Sequence, residues 1–143
     1  MPSFRQTIDI DTDPDATWAV VGDPASVKDW VPGLASVEVR GMTRICTLAD
    51  GRVQHEQISD YSPETRSFRY AIDGGLPVRD NGGSFAVRER AGGSRVVWES
   101  SFEPLDPDQD AELTELWRGM LPVVLGNLKR LVEGRRLHGL TAE

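Results

Sequence analysis

Few side chains in this sequence could do chemistry, and two of them, Arg44 and Glu56, flank one turn signal, Asp50-Gly51. A hairpin there brings the two strands together, and its loop length decides which side chains meet. With a two-residue loop, Arg44 pairs opposite Gln57 and Glu56 turns to the other face. With the three-residue loop Ala49-Asp50-Gly51, Gly51 takes the left-handed position and the register shifts by one. Arg44, Cys46 and Leu48 then share a face with Gln54, Glu56 and Ile58. The second register is preferred, because it collects Cys46, Leu48 and Ile58 on one side and sets Glu56 beside Arg44. A charge pair facing an apolar cavity is costly unless well hydrogen-bonded, so it often marks a ligand site. The competing reading is a solvent-facing cross-strand ion pair.

Other schemes find no support. His55 and His138 are the two histidines; His55 falls on the outward face in the preferred register, and His138 lies in the tail. Neither has the cysteine, histidine or carboxylate neighbours a metal site needs. The single cysteine, Cys46, has no histidine partner and reads as a small buried hydrophobe rather than a nucleophile. No phosphate-binding or dinucleotide glycine motif precedes a helix; Gly74-Gly75 and Gly92-Gly93 read as hairpin turns. No metal and no cofactor is expected.

The elements that must position Arg44 and Glu56 are legible in the punctuation. Phe4 to Ile10 alternates as a half-buried strand does. Asp13-Pro14 is an N-cap followed by proline, with Asp15 adding negative charge to the first turn, and Trp18 and Val21 anchor this short helix. Asp23-Pro24 repeats the signal and opens a second short helix through Trp30, stopped by Pro32-Gly33. Six strands are then expected at Leu34–Val39, Thr43–Leu48, Arg52–Asp60, Ser67–Ile72, Ser84–Arg90 and Arg95–Phe102. Gly41, Asp50-Gly51, Ser62-Pro63, Gly74-Gly75, Gly82-Gly83 and Gly92-Gly93 separate them, the spacing of an antiparallel meander. After Pro104 and Pro107 the period changes to three and four residues through Leu113, Leu116, Trp117, Met120, Val123/Val124, Leu128 and Leu131. Acidic residues crowd the start of this helix, and Lys129, Arg130, Arg135 and Arg136 crowd its end, which suits the macrodipole. Pro122 sits mid-helix and is expected to kink it. The order β-α-α-β-β-β-β-β-β-α makes an α+β architecture, a seven-stranded antiparallel sheet curled around one long helix.

Composition bounds the partners. The 143 residues are the size of one domain, 38% hydrophobic and 27% charged, as in ordinary globular proteins. Sixteen Lys+Arg against 23 Asp+Glu leave a net charge of −7. That balance argues against binding nucleic acid, which needs a basic face, and against attraction to an anionic membrane. Nothing reads as a signal peptide or spanning segment, so a cytoplasmic protein is expected.

The ordered set of motifs resembles the START-like, helix-grip (SRPBCC) superfamily, the polyketide cyclase/dehydrase and lipid transport proteins. Its carriers are Ala16-Thr17-Trp18, Asp23-Pro24 through Trp30-Val31-Pro32-Gly33, Thr43-Arg44, Asp50-Gly51, Glu56-Gln57-Ile58, Gly74-Gly75, Pro77-Val78-Arg79-Asp80-Asn81 and Trp98. A bacterial group with this pattern is similar to the plant abscisic acid receptors. The resemblance implies a single ligand-binding domain over residues 1–143, with an arginine and a glutamate inside the cavity at Arg44 and Glu56. It also implies that Lys28 reaches a ligand carboxylate, as the corresponding lysine does in the receptors. Where many relatives carry an Asn-Tyr or Asp-Tyr pair, this chain has Asp80-Asn81, and Gly82-Gly83 beside it reads as a mobile entrance loop.

Around that polar end, Phe68, Tyr70 and Ile72 share one inward face and Val96, Trp98 and Phe102 another. From the helix Leu116, Gly119, Met120, Val123 and Asn127 are expected to face the cavity, Gly119 leaving room above the sheet and Asn127 adding a neutral donor and acceptor. The expected function is binding a small hydrophobic, aromatic or polyketide-like ligand between sheet and helix. The alternative is a polyketide cyclase or aromatase, with Glu56 as general acid or base and Arg44 polarising an enolate oxygen. A third class is an interaction module whose entrance loops close over a ligand. The expected partner is a small hydrophobic molecule, with no nucleic acid and no membrane insertion; a homodimer is left open as the assembly.

Overall fold

The computed structural model describes the backbone of residues 1–141 and the side chains of residues 1–135. The side chains of Arg136 and His138 lie outside the described residues. Strand β1 (Ser3–Ile10) is followed by helix α1 (Pro14–Val21), a 3-10 turn at Pro24–Ser26 and helix α2 (Val27–Trp30). Strands β2 (Leu34–Arg40), β3 (Thr43–Leu48), β4 (Val53–Ser62), β5 (Ser67–Asp73), β6 (Val78–Arg90) and β7 (Gly93–Pro104) precede the long helix α3 (Asp110–Thr141). All neighbouring strands are antiparallel, in the spatial order β1-β7-β6-β5-β4-β3-β2. The sheet curves around α3 as a helix grip.

Caps start the short helices where the aspartates stand. Asp13 Oδ1 accepts from the Ala16 N–H at 3.0 Å and Asp23 Oδ1 from the Ala25 N–H at 3.1 Å. Helix α3 runs on through Pro122. The carbonyl of Arg118 loses its usual donor there, but both residues are exposed and water can satisfy it.

The β3–β4 hairpin closes on a three-residue loop. Leu48 N–H donates to the Arg52 carbonyl at 2.7 Å, Gly51 adopts φ +91°, and Arg44 lies directly opposite Glu56. Only a residue without Cβ takes that φ cheaply, so the glycine position selects the register.

Two sequence expectations are corrected. Gly82 and Gly83 are not an entrance loop but interior residues of β6, which begins six residues earlier than the expected Ser84. The backbone turns sharply just before them, with Asp80 at φ +52° and a register shift between Arg79 and Gly82. A Cβ on Gly83 would lie 1.8 Å from the Glu99 carbonyl oxygen, and one on Gly82 2.6 Å from that of Tyr70. The glycines are there because neighbouring strands approach too closely for side chains. The second correction concerns α3. Its inward stripe is Leu113, Trp117, Leu121, Val124, Leu125, Leu128 and Val132, each 5% exposed or less. Leu116 and Val123 are more than half exposed, and Gly119 is exposed with open space around it. Leu116 and Val123 each lie one residue, about 100° of helical rotation, from Trp117 and Val124 of the true stripe, and Gly119 lies between Trp117 and Leu121 on the opposite side.

The core has two parts. A large cluster joins α1, α2 and the sheet to α3 through Ile10, Val21, Trp30, Ile58, Phe85, Val96, Leu125 and Leu128. A smaller one holds Phe102, Leu113 and Trp117, with the Phe102 and Trp117 ring centroids 4.2 Å apart.

Candidate functional site

Strands β2 to β7, α2 and the first half of α3 line a partly open cavity of about 130 Å³. Its walls follow from strand alternation: Cys46, Tyr70, Ile72, Phe85 and Trp98 face inward from β3, β5, β6 and β7, and Trp30, Trp117, Met120 and Val124 close the helical side.

Arg44 and Glu56 stand in that wall, 3% and 6% exposed. Arg44 Nε donates to Glu56 Oε2 at 3.0 Å and Nη2 to Oε1 at 2.5 Å. Its Nη1 donates to the Pro24 carbonyl at 2.8 Å, which ties the start of the second helical segment to the sheet. A guanidinium has five N–H donors, so these three bonds leave two. Both carboxylate oxygens of Glu56 are occupied by one cation, the geometry of an internally neutral clamp.

A second polar group lies deeper. Trp98 Nε1 donates to the Tyr70 hydroxyl at 2.7 Å, and Trp117 Nε1 donates to Ser100 Oγ at 3.1 Å. Burial pushes the Tyr70 phenol up to about 12, against the opposing effect of the hydrogen bond from Trp98. Burial likewise pushes the Cys46 thiol up to about 11, with the Glu56 carboxylate adding to it and Arg44 opposing. Cys46 is therefore a protonated wall residue and not a nucleophile.

The structure brings Arg44, Glu56, Tyr70, Asn81, Trp98 and Met120 to one cavity. Five expected residues are elsewhere, among them Leu116, which is more than half exposed. Lys28 is exposed on α2 and does not line the cavity, because Val27 and Trp30 are the residues that α2 turns inward. Gly119 and Val123 point to solvent for the rotational reason given above. Asn127 is half-buried, but its Nδ2 donates to the Trp30 carbonyl at 3.2 Å and its Oδ1 accepts from Arg130, so it staples α3 to α2. Ser100 and Trp117 were not singled out from the sequence. Ser100 alternates with Trp98 and Phe102, so strand period could have found it, whereas helical period leaves Trp117 on one of two overlapping apolar stripes.

Among the described residues, no cluster of three or more histidine, cysteine or acidic side chains could hold a metal, and no helix is long and apolar enough to cross a membrane.

A family model described as polyketide cyclase / dehydrase and lipid transport matches residues 1–133. No curated protein matches the chain. Among solved structures, the protein XoxI from Bacillus cereus superposes with a TM-score of 0.83 at 24% identity, over 92% of this chain and 96% of that one. The di-domain ARO/CYC protein BexL gives a TM-score of 0.79 at 18% identity, over 93% of this chain and 47% of that one. Norcoclaurine synthase from Thalictrum flavum, solved with dopamine and hydroxybenzaldehyde, gives 0.71 at 18% identity, over 93% of this chain and 87% of that one. These likenesses are of fold.

Proposed function

The chain belongs to the polyketide cyclase / dehydrase and lipid transport family, and from that premise we propose that it binds a small hydrophobic, aromatic or polyketide-like molecule inside the cavity between sheet and α3. The observation that carries this reading is a partly open, largely apolar cavity whose wall contains a buried Arg44–Glu56 pair. Burying two charges costs several kcal/mol per ion before their attraction offsets it, roughly, so stability alone is a weak reason for the pair. The two remaining Arg44 N–H groups give it a use, as donors to a ligand oxygen. Native mass spectrometry of the purified protein, followed by denaturing extraction, tests the reading. Release of a stoichiometric aromatic or polyketide compound supports it; a protein that is empty and takes up no hydrophobic probe counts against it.

The second reading is a cyclase or aromatase, which the family description favours. Arg44 would polarise an enolate oxygen of a bound polyketone while Glu56 moves a proton. Because both Glu56 oxygens accept from Arg44, the carboxylate must first release one of those bonds. Glu56→Gln distinguishes the two: the variant loses turnover of a polyketone in the enzyme reading, and full activity removes Glu56 as the acid or base.

A further inference from the structure

The charges of Arg44 and Glu56 cancel each other, whereas two neutral hydroxyls of the cavity, those of Tyr70 and Ser100, each take up an indole N–H. An indole N–H can only donate, and Trp98 and Trp117 place theirs on the Tyr70 and Ser100 oxygens. Each of those hydroxyls keeps a proton of its own to donate. Among the described residues no hydrogen bond takes the Tyr70 proton to a protein acceptor; the phenol only accepts, from Trp98. A buried donor without a partner costs about 1–3 kcal/mol until something accepts from it.

Size and charge narrow what that acceptor can be. A volume of about 130 Å³ is near the ~150 Å³ of an engineered cavity that admits benzene, which is room for one ring and not for fused rings. The Arg44–Glu56 pair is already neutral, so an anionic ligand would leave an uncompensated charge in a low-dielectric site. We propose that the cavity selects an uncharged, single-ring aryl carbonyl compound whose carbonyl oxygen accepts the Tyr70 O–H while its ring lies against Phe85, Trp98 and Ile72. The proposal rests on the ligand-binding reading above and narrows it to a chemical class.

Calorimetric titration of the full chain with four probes tests it: acetophenone; α-methylstyrene, which keeps the shape but replaces the carbonyl oxygen with methylene; benzoate; and acetonaphthone. Acetophenone is expected to bind about tenfold more tightly than each of the other three, the size of one well-made hydrogen bond for the first comparison. In Tyr70→Phe the preference over α-methylstyrene falls to about twofold or less. Should that variant not fold, the infrared carbonyl band of acetophenone bound to the natural protein decides, since a hydrogen bond lowers its frequency below that in hexane. Equal binding of acetophenone and α-methylstyrene, an unshifted band, or an undiminished preference in Tyr70→Phe overturns the phenol as donor while leaving the binding reading intact. Tighter binding of benzoate overturns the neutrality argument, and tighter binding of acetonaphthone the size limit. Failure of all four probes overturns the proposal together with the binding reading.

Discussion

Arg44 and Glu56 are directly opposed residues of β3 and β4, joined by two parallel hydrogen bonds of 3.0 and 2.5 Å with side chains 4% and 7% exposed. Removing either partner strands the other as a buried charge, so Arg44→Ala or Glu56→Ala is expected to lower stability by about 3–5 kcal/mol. Arg44→Met combined with Glu56→Leu should recover most of that loss. Urea unfolding measures all three, and a single variant within about 1 kcal/mol of the natural protein would show that the pair is not buried as described.

Filling the cavity separates its walls from residues that only neighbour it. Val124 lines the cavity and is 1% exposed, so Val124→Phe is expected to abolish uptake of a one-ring ligand while circular dichroism remains native. Gly119→Phe and Lys28→Ala should leave affinity within about twofold, since both positions face solvent. Loss of binding in Lys28→Ala would restore that lysine as a ligand contact.

Two glycines make opposite predictions. A Cβ at Gly83 would collide with the Glu99 carbonyl at 1.8 Å, which only a backbone shift relieves. Gly83→Ala should cost about 3 kcal/mol or more. Gly119 lies in an exposed turn of α3 with open space, and Gly119→Ala should stabilise by up to about 1 kcal/mol. Thermal unfolding of the two variants reads both signs.

Alkaline pH should weaken the fold. Cys46 is raised from 9.0 to about 11 and Tyr70 from 10.0 to about 12. A raised acid stays neutral longer in the folded state, so the unfolded chain deprotonates first. Stability is therefore full below about 9 and declines as pH rises toward 12. The urea midpoint should fall over that window, less steeply in Cys46→Ala. At pH near 8 the native thiol should react with a disulfide reagent far more slowly than in urea; equal rates would mean that Cys46 is accessible.

Much of the fold could be read from local chemistry. Asp13-Pro14 and Asp23-Pro24 carry their own helix starts, and Gly51 alone selects the hairpin register that joins Arg44 to Glu56. These features depend on residues close in sequence, where φ preferences and caps act without help from the rest of the chain. Gly82-Gly83 misled for the same reason. Glycine marks a turn as often as a close strand contact, and only the Tyr70 and Glu99 carbonyls across the sheet distinguish the two.

The sequence by itself determined the element order, the curled sheet with one covering helix, and the strand residues that face inward. The tertiary structure decided which side of α3 meets them. Two overlapping apolar stripes, Leu116–Met120–Val123 and Trp117–Met120–Val124, lie about 100° apart on that helix, and periodicity supports both. Trp117 wins because Phe102 offers a ring face 4.2 Å away and Ser100 an acceptor for the indole N–H at 3.1 Å. Both partners come from β7, which meets α3 only after the sheet has curled, so no local pattern could encode the choice.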